Sequence, residues 1–212
     1  MPNRTVFLVD GFNLYHSLRK TAYELGQSTR WLDLHGLCSS YLYLLGGGAT
    51  LDAVHYFSAL AHHREHRKPG TVRRHQDYIA AIQSTGVTPH LGQFKQKDVR
   101  CPACGHQLRR HEEKETDVAI AVKLLELVAT NACDTVVIIS GDTDLIPAIR
   151  TARTLRPGVK VCVAFPAGRA NAAFNHVADF CFKIKSHQYV RFQLPDPVII
   201  PGGRTIAKPA SW

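Results

Sequence analysis

Residues 136–144 read Val136-Val137-Ile138-Ile139-Ser140-Gly141-Asp142-Thr143-Asp144. Four consecutive β-branched residues make a strand that is apolar on both faces, as in a sheet covered by helices on either side. A second continuous run, Val6-Phe7-Leu8-Val9, has the same character and also ends on an acid, Asp10. Working outward, Val54-His55-Tyr56-Phe57, Thr88 to Phe94, Val159 to Phe165 and Phe180 to Ile184 supply further strands. Helical patterns lie between them, near 13–25, 32–45, 70–85, 116–130, 144–155 and 170–178. Strands alternating with helices imply an α/β class with a doubly wound, mostly parallel sheet. Gly46-Gly47-Gly48 breaks the chain before the second strand, and Pro147 fits the first turn of a helix, where its missing N–H costs nothing.

The chain has 212 residues, enough for one domain with its own core and a modest insertion. Lys95 to Lys114, basic and holding a Cys pair, breaks the alternation and reads as a short insertion or long loop. From Pro195 the Pro-Asp-Pro and Pro-Gly-Gly stretches suggest a loosely attached tail, so the expected division is a domain over 1–194 and a C-terminal tail over 195–212. At 45% hydrophobic and 20% charged, the composition excludes disordered, collagenous and coiled-coil classes. No apolar run is long enough for a membrane span, and no small-residue cleavage site follows the first strand. A cytoplasmic protein without membrane contact is expected, and its six cysteines are thiols or metal ligands rather than a disulfide frame. Twenty-six Lys and Arg against 17 Asp and Glu give a formal net charge of +9, the footprint of a polyanion binder.

The carboxylates fall in an informative pattern. Asp10 follows the first strand, and Asp142 and Asp144 follow another. In open parallel sheets, active groups gather outside the carboxyl ends of strands where the strand order reverses. Asp117 opens the helix at 116–130, and its offsets to Ala121, Leu124, Leu125 and Val128 place it on the apolar face. An acid in a first turn is otherwise a surface complement to the helix dipole. Gathered Asp side chains repel one another unless a cation neutralises them, and an all-oxygen set selects Mg²⁺ or Mn²⁺ over Zn²⁺. Such an ion activates water against a phosphodiester while a basic rim draws in the polyanion.

At these positions Val9-Asp10-Gly11-Phe12-Asn13-Leu14-Tyr15, Glu113-Lys114-Glu115-Thr116-Asp117-Val118-Ala119-Ile120-Ala121 and Ile139-Ser140-Gly141-Asp142-Thr143-Asp144-Leu145 resemble the NYN domain family. This is a branch of the PIN-like nucleases, with the LabA-like proteins nearest in appearance, and the resemblance runs from about Val6 to Ile184. It implies a PIN-like sheet with strand order 3-2-1-4-5 and metal-dependent cleavage of RNA. Carried over by position, Asp10, Asp117 and Asp142 would be the core metal ligands, with Asp144 a fourth. Asn13 would sit beside Asp10, and Ser140 and Thr143 would offer hydroxyls to RNA at the same pocket. Asp179 reads as structural. A haloacid dehalogenase phosphatase would need Asp where Phe12 stands, a receiver domain would need an Asp in Leu91 to Lys95, and no P-loop motif exists.

Cys101-Pro102-Ala103-Cys104-Gly105-His106, with His111 beyond, looks like half a zinc site: Cys101, Cys104, His106 and His111 are candidate ligands for a structural Zn²⁺. LabA-like proteins often carry such a knuckle before the Glu-Lys-Glu-Thr-Asp stretch. The alternative is an unliganded pair in a solvent loop. Cys38, Cys133, Cys162 and Cys181 lie in apolar surroundings and read as core. The run His62-His63-Arg64-Glu65-His66-Arg67-Lys68, with Arg73-Arg74-His75 behind it, follows the second strand's carboxyl end. It is either a solvated face or phosphate-contacting surface, and its position at the strand end favours Arg64, Arg67, Lys68, Arg73 and Arg74 as RNA contacts. Arg100, Arg109 and Arg110 form a second basic group. The expected protein is a Mg²⁺- or Mn²⁺-dependent (endo)ribonuclease, and a homodimer is compatible with the sequence. Its alternative is an RNA-binding regulatory module that cuts weakly or not at all.

Overall fold

In a computed structural model, which describes residues 2–100 and 102–212, seven strands form one sheet. Chain order is β1 (Asn3–Asp10), α1 (Gly11–Leu25), α2 (Leu34–Ser39), β2 (Ala49–Ala59), α3 (Thr71–Gln83), β3 (Val87–Arg100), β4 (Gln107–Lys114) and α4 (Thr116–Ala129). It continues through β5 (Thr135–Ile139), α5 (Ile146–Leu155), β6 (Lys160–Phe165), β7 (Phe180–Lys183), α6 (Ser186–Arg191), β8 (Val198–Ile199) and β9 (Thr205–Ile206). The sheet order is β4-β3-β2-β1-β5-β6-β7, and every pairing is parallel except β3 with β4. Apart from the returning β4, this is the doubly wound α/β sheet expected, its order 3-2-1-4-5 extended by a sixth parallel strand to 3-2-1-4-5-6.

The two central strands explain why the order reverses at β1. Phe7 and Val9 of β1, with Val137 and Ile139 of β5, join the core under α1, α2 and α3. Val6 and Leu8, with Val136 and Ile138, join the opposite core under α4 and α5. Alternate residues of a strand point to opposite faces, so strands apolar throughout must be covered twice, and only the middle of the sheet offers that. Register pairs Val9 with Ile139, which sets Asp10 level with Ser140 at the carboxyl edge.

Two parts depart from expectation. Lys95 to Lys114 is no irregular loop. β3 runs on past the end of β2 to Arg100 and β4 returns along it, pairing Gln93 with Lys114 and Arg100 with Gln107. Beyond Gly92 this ribbon has no partner on β2, and its sequence lacks the alternating apolar pattern that betrays a strand. Residues 195–212 are also not loosely attached. Val198 and Ile206 are buried in the α1–α3 core, the Trp31 indole donates to the Pro195 carbonyl at 3.0 Å, and Trp212 packs against Trp31 and Tyr78. Pro and Gly there shape an irregular backbone, while the apolar residues between them anchor it. Among the described residues, no helix is long and apolar enough to cross a membrane.

Candidate functional site

Asp10 is the last residue of β1 and the N-cap of α1, and is only 4% exposed. Its Oδ1 accepts from the Asn13 amide at 2.9 Å, closing the first turn, and its Oδ2 accepts from the Ser140 hydroxyl at 2.7 Å. Ser140 in turn accepts from the Asp142 amide at 3.0 Å, and the Asn13 Oδ1 accepts from the Gly141 amide at 3.3 Å. These four bonds tie the ends of β1 and β5 together at the point of strand reversal. Asp142 caps the short 3₁₀ turn Thr143–Leu145, accepting from the Asp144 amide at 3.1 Å, and Pro147 falls in the first turn of α5.

Asp117 enters from the other side of the cleft. Thr116, Ile120, Leu124, Leu127 and Val128 are buried in α4, and this phase holds Asp117 half-buried over the strand ends. The backbone before it is strained, since Glu115 sits at φ 78°, a conformation costly for a residue with a Cβ. Glu115 accepts from the Gln93 side chain at 2.7 Å, which fixes that turn against β3.

Asp10, Asn13, Asp117, Asp142 and Asp144 all line one cleft of about 620 Å³. Burial, then repulsion from Asp10, Asp142 and Asp144, pushes the Asp117 carboxyl up to about 6. Burial also raises Asp10, against the lowering effect of its bonds to Asn13 and Ser140 and with a further push from Asp142. The carboxylates therefore sense one another across the cleft. Lys114, His16 and Arg169 line its rim, and burial followed by the field of Arg169 and Arg19 lowers the His16 imidazole.

The donor set fits a hard divalent cation: all oxygen, mutually repelling, and graded from buried Asp10 through half-buried Asp117 and Asp142 to exposed Asp144. Among the described residues, no three His, Cys, Asp or Glu side chains close around a single point. Mg²⁺ tolerates this, because it keeps several waters and uses one or two carboxylates plus phosphate oxygens.

Other expected site residues are distributed differently. Ser140 is fully buried, and its hydroxyl holds Asp10 and Asp142 rather than facing RNA, because the strand's parity turns it inward. Thr143 is exposed on the turn and lies outside the cleft lining. Arg64, Lys68 and Arg74 reach a second cavity beside the cleft, whereas Arg67 and Arg73 do not line it, and Arg73 pairs with Asp77 at 3.9 Å. Of the zinc candidates, Cys101 lies outside the described residues, Cys104 and His106 are exposed, and the His111 ring stacks on His63 at 4.3 Å. The Asp179 carboxylate accepts from Arg153 and from the Val161 amide, each at 2.8 Å, which ties α5 and β6 together. His16 escaped the sequence reading although it stands one turn beyond Phe12 on the same helix face, and Arg169 although it follows a strand end.

Comparison with known proteins bears on this geometry. The NYN domain family matches residues 4–185, nearly the whole chain. This protein belongs to the NYN domain family. NYN domains are PIN-like, which supports a nuclease-type function, and PIN-like nucleases generally use divalent metals such as Mg²⁺ or Mn²⁺. This NYN chain is also 26% identical over 245 residues to 6-hydroxy-3-succinoylpyridine 3-monooxygenase HspA of Pseudomonas putida (strain DSM 28022 / S16), an alignment spanning 100% of this chain and 76% of that protein. Its fold resembles the crystal structure of a protein of unknown function, VPA0982, from Vibrio parahaemolyticus RIMD 2210633. That likeness has a TM-score of 0.56 at 18% identity and covers 87% of this NYN chain and 94% of the other.

Proposed function

We propose that this NYN protein is a metal-dependent ribonuclease, with Asp10, Asp117, Asp142 and Asp144 holding Mg²⁺ or Mn²⁺ in the cleft. The observation that carries the reading is the convergence of four acids, from the ends of β1 and β5 and the start of α4, on one cleft. When bound, the ion would supply Lewis-acid polarisation of the phosphodiester and a more acidic water. The chain's own residues do the positioning. Ser140 and the Asn13 amide fix the two oxygens of Asp10, so that carboxylate presents one orientation. The Asn13 side chain holds the Gly141 amide and so the Asp142 loop. Arg169 and Lys114 at the rim offset the repulsion between a polyanion and the acids.

The test incubates labelled single-stranded RNA with Mn²⁺ or with chelator, using wild type and Asp142→Asn. Cleavage is expected in Mn²⁺ and none in chelator, with the variant slower by about 10³-fold. If both proteins leave the RNA equally intact while still binding it, the RNA-binding regulatory reading replaces the enzyme.

RNA affinity is expected to fall steeply with salt. Three phosphate contacts from Arg64, Lys68 and Arg74 imply a log–log slope of about −2, a loss of more than about tenfold between 50 and 200 mM. Fluorescence anisotropy measures it, and a slope near zero removes these cations from the interface. The Pseudomonas putida relative supports a second reading, action on a small heteroaromatic acid, and one observation favours it: the cavity reached by these cations also has aromatic walls.

A further inference from the structure

The second cavity, of about 340 Å³, opens beside the acidic cleft between α1, the carboxyl end of β2 and α3. Five cations reach it: Arg19 and Arg30 from one side, Arg64, Lys68 and Arg74 from the other. Among the described residues no Asp or Glu side chain lines it, and none of the five is held in an ion pair. Cations gathered in excess of the acids around them raise the local potential and favour an anion. The remaining wall is built of rings, chiefly Tyr15, Tyr56, Tyr78 and Trp212. His75 adds a further ring without charge, since burial pushes its imidazole down to about 4 and leaves it neutral at physiological pH. The cavity therefore has an aromatic floor and a cationic mouth, with Arg19, Arg64 and Lys68 exposed and Tyr56 and Tyr78 buried.

A ligand that matches this is planar and aromatic with an anionic end. The rings supply stacking, and the guanidinium and ammonium groups supply phosphate contacts. Phe12 lines both the cavity and the acidic cleft, and its ring meets Phe94 edge-on at 6.3 Å, so the two form a ridge between the spaces. A polynucleotide laid over that ridge would present a phosphate to the acids and the neighbouring nucleotide to the cavity.

We infer that the cavity is a subsite for a single nucleotide, with the base among Tyr15, Tyr56 and Trp212 and its phosphate on Arg64, Lys68 and Arg74. Its place beside a scissile phosphate rests on the ribonuclease reading of the cleft; the cavity's own chemistry does not. A free heteroaromatic carboxylic acid shares the ring-plus-anion pattern. A nucleotide is favoured because five cations exceed what one carboxylate needs and because the cavity adjoins the cleft through Phe12.

The experiment is equilibrium binding to the full chain at low salt in chelator, where cleavage plays no part. Trp31 and Trp212 lie 6.3 Å apart and Trp212 lines the cavity, so intrinsic fluorescence and calorimetry both report occupancy. The ligands are 5′-AMP, 5′-UMP, adenosine, ribose 5-phosphate and nicotinate. Saturable binding of a monophosphate with tryptophan quenching is expected, with adenosine and ribose 5-phosphate each at least about tenfold weaker. The double variant Arg64→Gln/Lys68→Gln, which alters two exposed side chains, is expected to weaken it by about tenfold or more with an unchanged melting temperature. The inference is overturned if no monophosphate saturates, if the double variant binds as wild type does, or if nicotinate binds as tightly as the monophosphates. Monophosphate binding by a protein that fails to cut RNA would leave the subsite standing and remove the ribonuclease; cutting without monophosphate binding would do the reverse.

Discussion

Asp117→Asn is expected to cripple RNA cleavage and raise thermal stability in the same molecule. Asp117 is half-buried and faces Asp10, Asp142 and Asp144, so ionising it in the metal-free fold costs more than ionising it in the unfolded chain. Its folded value of about 6 lies above the usual 3.8, which fixes the sign. The protonated group favours the fold below about pH 4, and that contribution is lost as pH rises through about 6. At pH 7.5 the ionised carboxylate is thus a standing penalty, worth about 1 kcal/mol once solvent screening at a half-exposed site is allowed for. Asn keeps the shape and removes the charge, so the melting temperature in chelator should rise by about 2–4 °C. The difference between variant and wild type should vanish near pH 4. Mn²⁺ should raise the wild-type melting temperature by mass action and raise that of Asp117→Asn far less. Cleavage should fall by about 10³-fold, equivalent to about 4 kcal/mol in the barrier. Calorimetry and an RNA assay on one preparation test both halves. A variant that cuts at the wild-type rate would remove Asp117 from the chemistry, and one that melts lower would show that the acids do not strain one another.

How much of this was readable beforehand differs by residue, for identifiable reasons. Val136–Ile139 and Val6–Val9 disclosed central strands because continuous apolar runs need cover on both faces, and their trailing acids followed to the sheet edge. Asp117 was legible through helical phase, a local property. Ser140 was not, since a hydroxyl next to two acids reads as a ligand until strand parity turns it beneath Asp10. β4 was hidden because its sequence, Gln107 to Lys114, is mostly polar and carries no hydrophobic period of two. Arg30 and Trp212 gave no signal at all. Their approach to α1 and α3 is set by how distant segments close over Trp31 and Tyr78, which no local pattern encodes. The acidic cleft, built at strand ends, was therefore largely readable, while the cationic cavity, built by tertiary closure, was only half readable through the Arg64–Arg74 run.

Gly141→Ala should be the most damaging methyl that can be added at the described glycines. A Cβ at Gly141 would lie 2.2 Å from the Arg169 carbonyl oxygen, far inside contact distance, and the obstacle is backbone rather than a side chain that can swing away. On its own side Gly141 is pinned as well: its amide donates to Asn13, the preceding Ser140 holds Asp10, and the following Asp142 amide donates back to Ser140. Relief therefore demands that the Arg169 loop or the β5 end move. Overpacking of this kind costs about 1–3 kcal/mol, which for a chain of this size lowers the melting temperature by several degrees. The functional loss should exceed the stability loss, because the displaced atoms carry Asp142 and the bond that orients Asp10. A change of about 1 Å in a catalytic group costs about 100-fold in rate, so cleavage should fall at least that far at temperatures where the variant is fully folded. The Mn²⁺-induced rise in melting temperature should shrink with it. Gly158→Ala, where an added Cβ meets nothing within 4 Å, is the matched control and should leave both stability and cleavage unchanged. If Gly141→Ala behaves like Gly158→Ala, the close approach of the two loops is absent in solution, and the four acids are not held in the arrangement on which cleavage depends.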